Sequence, residues 1–196
     1  MGLVLQYGPG QTPLSEEEKG GLLISGVSQH GELDEHEQLN IEQAVLWSLS
    51  KKKAENILSE QFIKLLHKKM FGTVWDWAGT FRKSEKNIGI KWINITIELK
   101  KLLLDVLFWI ENNTYVPAEI AIRFKHRLVC IHCFPNGNGR HSRLMADILL
   151  TALDNGVFTW GQSKMNNPDN VRKEYISALK KADNGNIEPL ISFAKN

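Results

Sequence analysis

The sequence predicts one mostly α-helical domain with a single small β element, and three observations lead there. Apolar residues recur at helical spacing along most of the chain. Helix start and stop signals separate those stretches. Only one segment, TVWDWAGTFRKSEKNIGIKW, combines glycines with β-branched ends in a way that suits a hairpin or extended flap. A chain of 196 residues accommodates one domain with a sizeable core and would crowd two.

Taken in order, residues 1–13 are rich in Gly and Pro and read as an extended arm. Residues 14–196 read as one domain. Ser15 and the acids behind it cap a short helix that Gly20-Gly21 stops. A longer helix is predicted from about Leu33 to Lys51, with Leu33, Leu39, Ala44, Val45 and Leu49 as its inner face. The next runs from about Ser59 to Phe71, grouping Phe62, Leu65, Leu66 and Met70. Beyond the hairpin segment, a buried helix spans about Ile97 to Glu111; Asp105 interrupts its apolar run, which is far shorter than the ~20 residues a bilayer span needs. After Pro117 a helix from Ala118 to Ile131 carries a stripe of Ile120, Ala121, Phe124, Leu128 and Ile131. Helices at about Arg140–Leu153, Asn170–Ala182 and Ile187–Ala194 complete the chain.

Bulk composition narrows the function classes. A hydrophobic content of 42% with 23% charged residues is ordinary for a globular chain, and a net charge of +2 points to no direct nucleic-acid partner and no membrane surface. The N-terminus lacks the charged and apolar regions of a secretory signal. Two cysteines make no disulfide framework, so a reducing cytoplasm is expected.

The chemistry concentrates in residues 130–143, CIHCFPNGNGRHSR. Cys130, Cys133, His126, His132 and His141 are zinc-ligand types, but a structural zinc usually takes two knuckles and the chain has one C-x-x-C. Cys130, between Val129 and Ile131 near a helix end, is expected to pack as a small buried hydrophobe. Gly137, Asn138 and Gly139 open a helix whose free N–H groups and dipole suit an anion. Arg140 and Arg143, three apart on one face inside that mouth, suit phosphates better than packing. His132, at the C-terminal end of the preceding helix, is a general-base candidate, with the helix dipole favouring its imidazolium.

The run from His132 to Arg143 resembles the Fic motif, H-x-F-x-[D/E]-G-N-G-R-x-x-R, at seven of its eight defined positions. VWDWAGTFRKSEKNIGIKW is similar to the family's flap and RKEYISALKKADNGNIEPLISFA to its C-terminal helices. The texture of EKNIGIKW and HRLVCIHCFPNGNGRHSRLMADILL looks most like the Fic branch called mobile mystery protein B. The resemblance implies a Fic-type helical bundle, with a short β-hairpin flap beside a motif loop at 132–143.

It also implies transfer of AMP from ATP to a Ser, Thr or Tyr hydroxyl of a target protein. In that reading His132 takes the hydroxyl proton and Phe134 anchors the loop. Gly137, Asn138 and Gly139 hold phosphates, with the Asn138 side chain assisting, and Arg140 and Arg143 grip the leaving end. The flap, centred on Lys86, Asn87, Ile88 and Gly89, aligns the target segment by main-chain pairing.

Asn136 replaces the family acid that holds Mg²⁺ (or Mn²⁺), and a neutral amide is a poorer ligand for a hard cation. A nucleotide-binding module of weak or no turnover therefore stays open beside the transferase. So do other Fic transfers: phosphoryl, phosphocholine or removal of AMP. An antitoxin or inhibitory partner is left open. The family's inhibitory [S/T]-x-x-x-E-[G/N] element has no clean copy here, and Glu42 is the candidate to meet Arg143.

Overall fold

Capping chemistry decides where the first helices start. In the computed structural model, which describes residues 12–27, 29–48, 53–162 and 168–196, α1 (Glu16–Gly20) opens on a capping box. The Ser15 hydroxyl accepts from the Glu18 N–H at 3.2 Å, while the Glu18 carboxylate accepts from the Ser15 N–H at 2.7 Å. Then come α2 (His30–Ser48), a one-turn α3 (Ala54–Ile57) and α4 (Glu60–Phe71), the last capped by Ser59. A 3₁₀ turn at Trp92–Asn94 leads into α5 (Ile95–Glu111); Pro117 begins α6 (Pro117–Ile131), which is followed by α7 (Asn138–Ala152), α8 (Pro168–Asp183) and α9 (Glu188–Lys195). The predicted helices are all present; α3 is the one the sequence reading did not separate. The expected arm at residues 1–11 and the expected end of α2 at 49–51 lie outside the described residues.

Two cores share α6 and α7. The larger packs Ile63, Leu66 and Met70 of α4 with Leu99, Leu102 and Val106 of α5, Phe124 of α6 and Met145 of α7. The smaller joins Ala121, Ile122, Ala146 and Leu150 to Phe158, Leu190 and Phe193. The connection between α6 and α7 is therefore held from both sides, and it is the motif loop.

Leu65 leaves the expected inner face of α4, being 43% exposed, and Ile63 and His67 are buried there instead; three other expectations need correction. The inner face of α2 is Leu33, Glu37, Asn40 and Ala44, all buried, whereas Leu39 is 59% and Val45 37% exposed. Apolar periodicity misled because the buried polar side chains have partners. Glu37 accepts from the Trp75 indole at 2.6 Å, and the Asn40 amide donates to the Thr73 hydroxyl at 2.5 Å.

Secondly, the expected hairpin does not form: residues 81–91 contain no strand. The Arg82 guanidinium, fully buried, donates to the carbonyls of Ser84 (2.8 Å), Ile90 and His132 (2.6 Å). One side chain thus satisfies carbonyls that a partner strand would otherwise have met. Thirdly, Cys130 is exposed and Cys133 is the buried thiol, because α6 turns residue 130 toward α8.

Candidate active site

Helix α6 ends at His132 in the left-handed conformation (φ 58°), and α7 begins just past Gly137 (φ 76°). Between them Phe134 plunges into the core, fully buried, stacked on His67 with ring centroids 3.7 Å apart and edge-on to His141. The Asn138 side chain ties the loop to itself: its amide donates to the Phe134 carbonyl at 2.8 Å and its oxygen accepts from the Phe134 N–H at 2.9 Å. A Cβ on Gly137 would lie 2.6 Å from the Phe71 ring, so glycine is required there by both backbone and space. A Cβ on Gly139 would meet nothing within 4 Å. The protein itself makes no demand for glycine at 139, and the open mouth of α7 lies before it.

No side chain caps α7, so its first-turn amides keep the unpaired character that an anion answers. Arg140 and Arg143 border an open cavity of about 250 Å³ along α7, with Gln38 and Ile41 of α2, Met70, Asp147 and Trp160 around it. Arg140 also lies over the Phe71 ring and Arg143 over the Tyr175 ring.

His132 is 3% exposed. Burial first, then the Arg82 guanidinium, push its ring down to about 4, although the Val129 carbonyl favours the charged form. The sequence expectation of a dipole-favoured imidazolium is thus reversed. Loss of hydration costs the cation more than the helix end returns, and the neutral ring that results is the form able to accept a proton. Its Nε2 lies 3.0 Å from the Thr12 hydroxyl oxygen.

Residues 57–150 match the Fic/DOC family. Those residues form a Fic domain. It is 30% identical over 132 residues to the protein adenylyltransferases Fic of Drosophila grimshawi and Drosophila melanogaster. That match takes in 65% of this chain and 26% and 25% of theirs, so the chain spans about a quarter of these curated relatives. Among solved structures it resembles Fic-1 from C. elegans, at TM-score 0.68 and 22% identity over 90% of this chain and 51% of that one. The BepC effector protein of Bartonella tribocorum, solved with AMPPNP, gives TM-score 0.67 at 19% identity over 92% and 97%. These two structural likenesses speak for the fold.

Within the Fic domain, the loop brings His132, Asn136, Gly137, Asn138, Gly139 and Arg140 together, and Arg143 sits one turn further along α7. Across from them, Lys86 of the flap pairs with Glu18 and donates to the Pro13 carbonyl at 3.2 Å. Gly89 (φ 104°) lets the flap close on His132: a Cβ there would lie 2.6 Å from that of His132. Ile88 is 45% exposed beside it. Asn87 lies in the same strandless segment.

Asn136 does not fit a resident Mg²⁺. Its side-chain oxygen accepts from the Gly137 N–H at 2.6 Å, and its amide donates to the Thr12 carbonyl at 2.9 Å. Among the described residues the loop from 132 to 143 has no carboxylate. A hard cation wants charged oxygens, and this amide oxygen is already engaged.

Glu42 stays on the exposed side of α2, accepting from Gln38 at 3.1 Å. The carboxylate that meets a motif arginine is Glu37, 2.5 Å from the Arg140 guanidinium. Sequence reasoning missed Glu37, and it missed His67. The His67 Nδ1 accepts from the Gly79 N–H at 3.0 Å, so its Nε2–H must donate to the Asn136 carbonyl, 3.1 Å away. That ring is held neutral by burial, well below its ordinary range. It positions the loop from behind.

The five zinc-type residues of the sequence reading do not converge. His141 meets the Ile63 carbonyl at 3.0 Å, and Cys133 is buried beside Arg82. His126 and Cys130 instead meet Asp183 on an outer face.

Proposed function

We propose that this domain transfers AMP from ATP to a hydroxyl of a protein. The observation that carries the reading is the pairing of two opposed ends: a buried, neutral His132 and, five residues on, an uncapped helix mouth with Arg140 and Arg143 inside it. Phosphoryl-type transfer asks for positioning and charge neutralisation more than for covalent chemistry. His132 Nε2 takes the proton of the incoming hydroxyl, whose oxygen attacks the α-phosphorus, and pyrophosphate leaves. The amides at Gly137, Asn138 and Gly139 and the two guanidinium groups balance the charge on the phosphates. ATP is the substrate, with Mg²⁺ or Mn²⁺ arriving on its phosphates.

The relatives named protein adenylyltransferase support the reaction, and the neighbours solved with AMPPNP and with ADP support a nucleotide in this fold. Residues 14–196 are read as the working unit. Among the described residues no helix is long and apolar enough to cross a membrane. The two free thiols support a reducing, cytoplasmic setting. The likeness to the mobile mystery protein B branch rests on the sequence segments alone.

Incubation with ATP labelled at the α-phosphate tests the proposal: label should move to protein and vanish in His132→Ala. Absence of transfer to any protein, with Mg²⁺ or Mn²⁺ present, refutes it. Asn136 favours a second reading, nucleotide binding without turnover. Calorimetry would then show ATP binding with no product, and Asn136→Asp would restore transfer.

A further inference from the structure

The segment that opens the described chain lies against the motif loop and the flap. Thr12 is 6% exposed, and its hydroxyl oxygen is 3.0 Å from Nε2 of His132. Its main chain is held as well, since the Asn136 amide donates to the Thr12 carbonyl at 2.9 Å. Lys86 of the flap donates to the Pro13 carbonyl and pairs with Glu18, whose own carbonyl accepts from the Trp77 indole at 2.9 Å. Leu14 is buried between these anchors. Residues 12–18 are thus clasped by the flap on one side and the motif loop on the other, the position expected of a target peptide. A threonine hydroxyl stands on the base.

We propose that Thr12 is an acceptor of this domain's own transfer, so that the chain adenylylates itself in cis at Thr12. The inference rests on the transferase reading above. In the step, the Thr12 O–H bond breaks and its proton passes to Nε2 of His132. The oxygen forms a bond to the α-phosphorus while the bond from phosphorus to the bridging oxygen breaks. Pyrophosphate departs with that electron pair, and the imidazolium returns its proton to water. The product is threonine O-linked to AMP, and ATP supplies everything transferred.

Three features favour an acceptor over a merely structural contact. The hydroxyl meets the base itself and not the ring's back. The base is neutral and so able to accept. The clasp fixes the main chain at Thr12 and at Pro13, which converts the encounter into an intramolecular one and replaces the binding of a separate target.

The test is made on the full chain with ATP labelled at the α-phosphate, followed by fragmentation mass spectrometry to locate the AMP. The expected result is one AMP group on Thr12, lost in Thr12→Ala and kept in Thr12→Ser, with thermal melts showing all three folded. The fraction labelled per unit time should not depend on protein concentration. His132→Ala, made distinguishable by a tag and mixed with the wild-type chain, should stay unlabelled. AMP on other residues or on added proteins, with none on Thr12, overturns this inference and leaves the transferase reading standing. Labelling of His132→Ala in that mixture overturns the cis route. No AMP on any protein overturns both readings together.

Discussion

Gly137 and Gly139 flank one asparagine, look alike in sequence, and should respond oppositely to alanine. At Gly137 the residue must hold φ 76°, and the added methyl would sit 2.6 Å from the Phe71 ring, which is itself buried. The left-handed backbone costs an L-residue ~1–2 kcal/mol and the overpacking ~1–3 kcal/mol more, about 2–5 kcal/mol together. For a chain of this size each kcal/mol moves Tm by roughly 2–4 °C, so Gly137→Ala should melt about 4–20 °C lower. Gly139 lies in the first turn of α7 with nothing within 4 Å of a Cβ. Alanine there should stabilise by up to ~1 kcal/mol, a rise of a few °C. The same methyl stands where a phosphate must approach the helix amides, so ATP affinity should fall at least ~10-fold, equivalent to about 1.4 kcal/mol. Paired thermal melts and calorimetric titration with ATP read both quantities. A Gly139→Ala protein that is as stable as the parent and binds ATP within about twofold of it would refute a phosphate site at the mouth of α7.

Three further outcomes are expected. Phe134→Ala should destabilise by ~3–5 kcal/mol, because the fully buried ring fills the space between His67, Phe81 and His141; urea midpoints measure it, and a loss under 1 kcal/mol would sink the anchoring argument. Glu37→Gln keeps an acceptor for the Trp75 indole and removes the charge facing Arg140, so ATP should bind about fivefold tighter, a ~1 kcal/mol change; unchanged or weaker affinity argues against Glu37 competing for that arginine. Acid should unfold the protein early. His67, His132 and His141 are all held below the unfolded value of about 6.5, so below that pH the unfolded chain binds up to three protons the native one refuses, while Asp147, pushed up to about 6, opposes them by one. The net of about two protons gives a fall of roughly 3 kcal/mol per pH unit between about pH 6 and 4, and urea midpoints that stay flat from pH 7 to 5 would contradict it.

What was legible in the sequence was local. The motif could be read because its chemistry is contiguous: a helix end, a turn and a helix start carry their own residue signatures. Helices from α4 to α7 could be read because apolar spacing and caps act within a few residues. What was missed acts at long range. Glu37 reads as one more surface acid on α2, and only the approach of Trp75 and Arg140 makes it internal. His67 lies in a helix pattern that already had enough apolar residues, and nothing local marks its link to Asn136, 69 positions away. The flap misled for a related reason. Its glycines and β-branched ends suit a hairpin, but one buried arginine organises the carbonyls instead, and a guanidinium in a loop carries no periodic signal.

Asn136 is where the two kinds of information meet. The family resemblance leads one to expect a metal-holding carboxylate at this position. In place, its oxygen accepts the Gly137 N–H, its amide N–H₂ donates to the Thr12 carbonyl, and its own carbonyl receives His67. A carboxylate could make the first of these contacts but not the second, since it has no proton to donate and would set its charge against a carbonyl oxygen. The amide therefore follows from the clasp on Thr12 as directly as the usual acid follows from a metal. The side chain that lacks the charge a hard cation would want is the one whose amide proton holds the N-terminal segment.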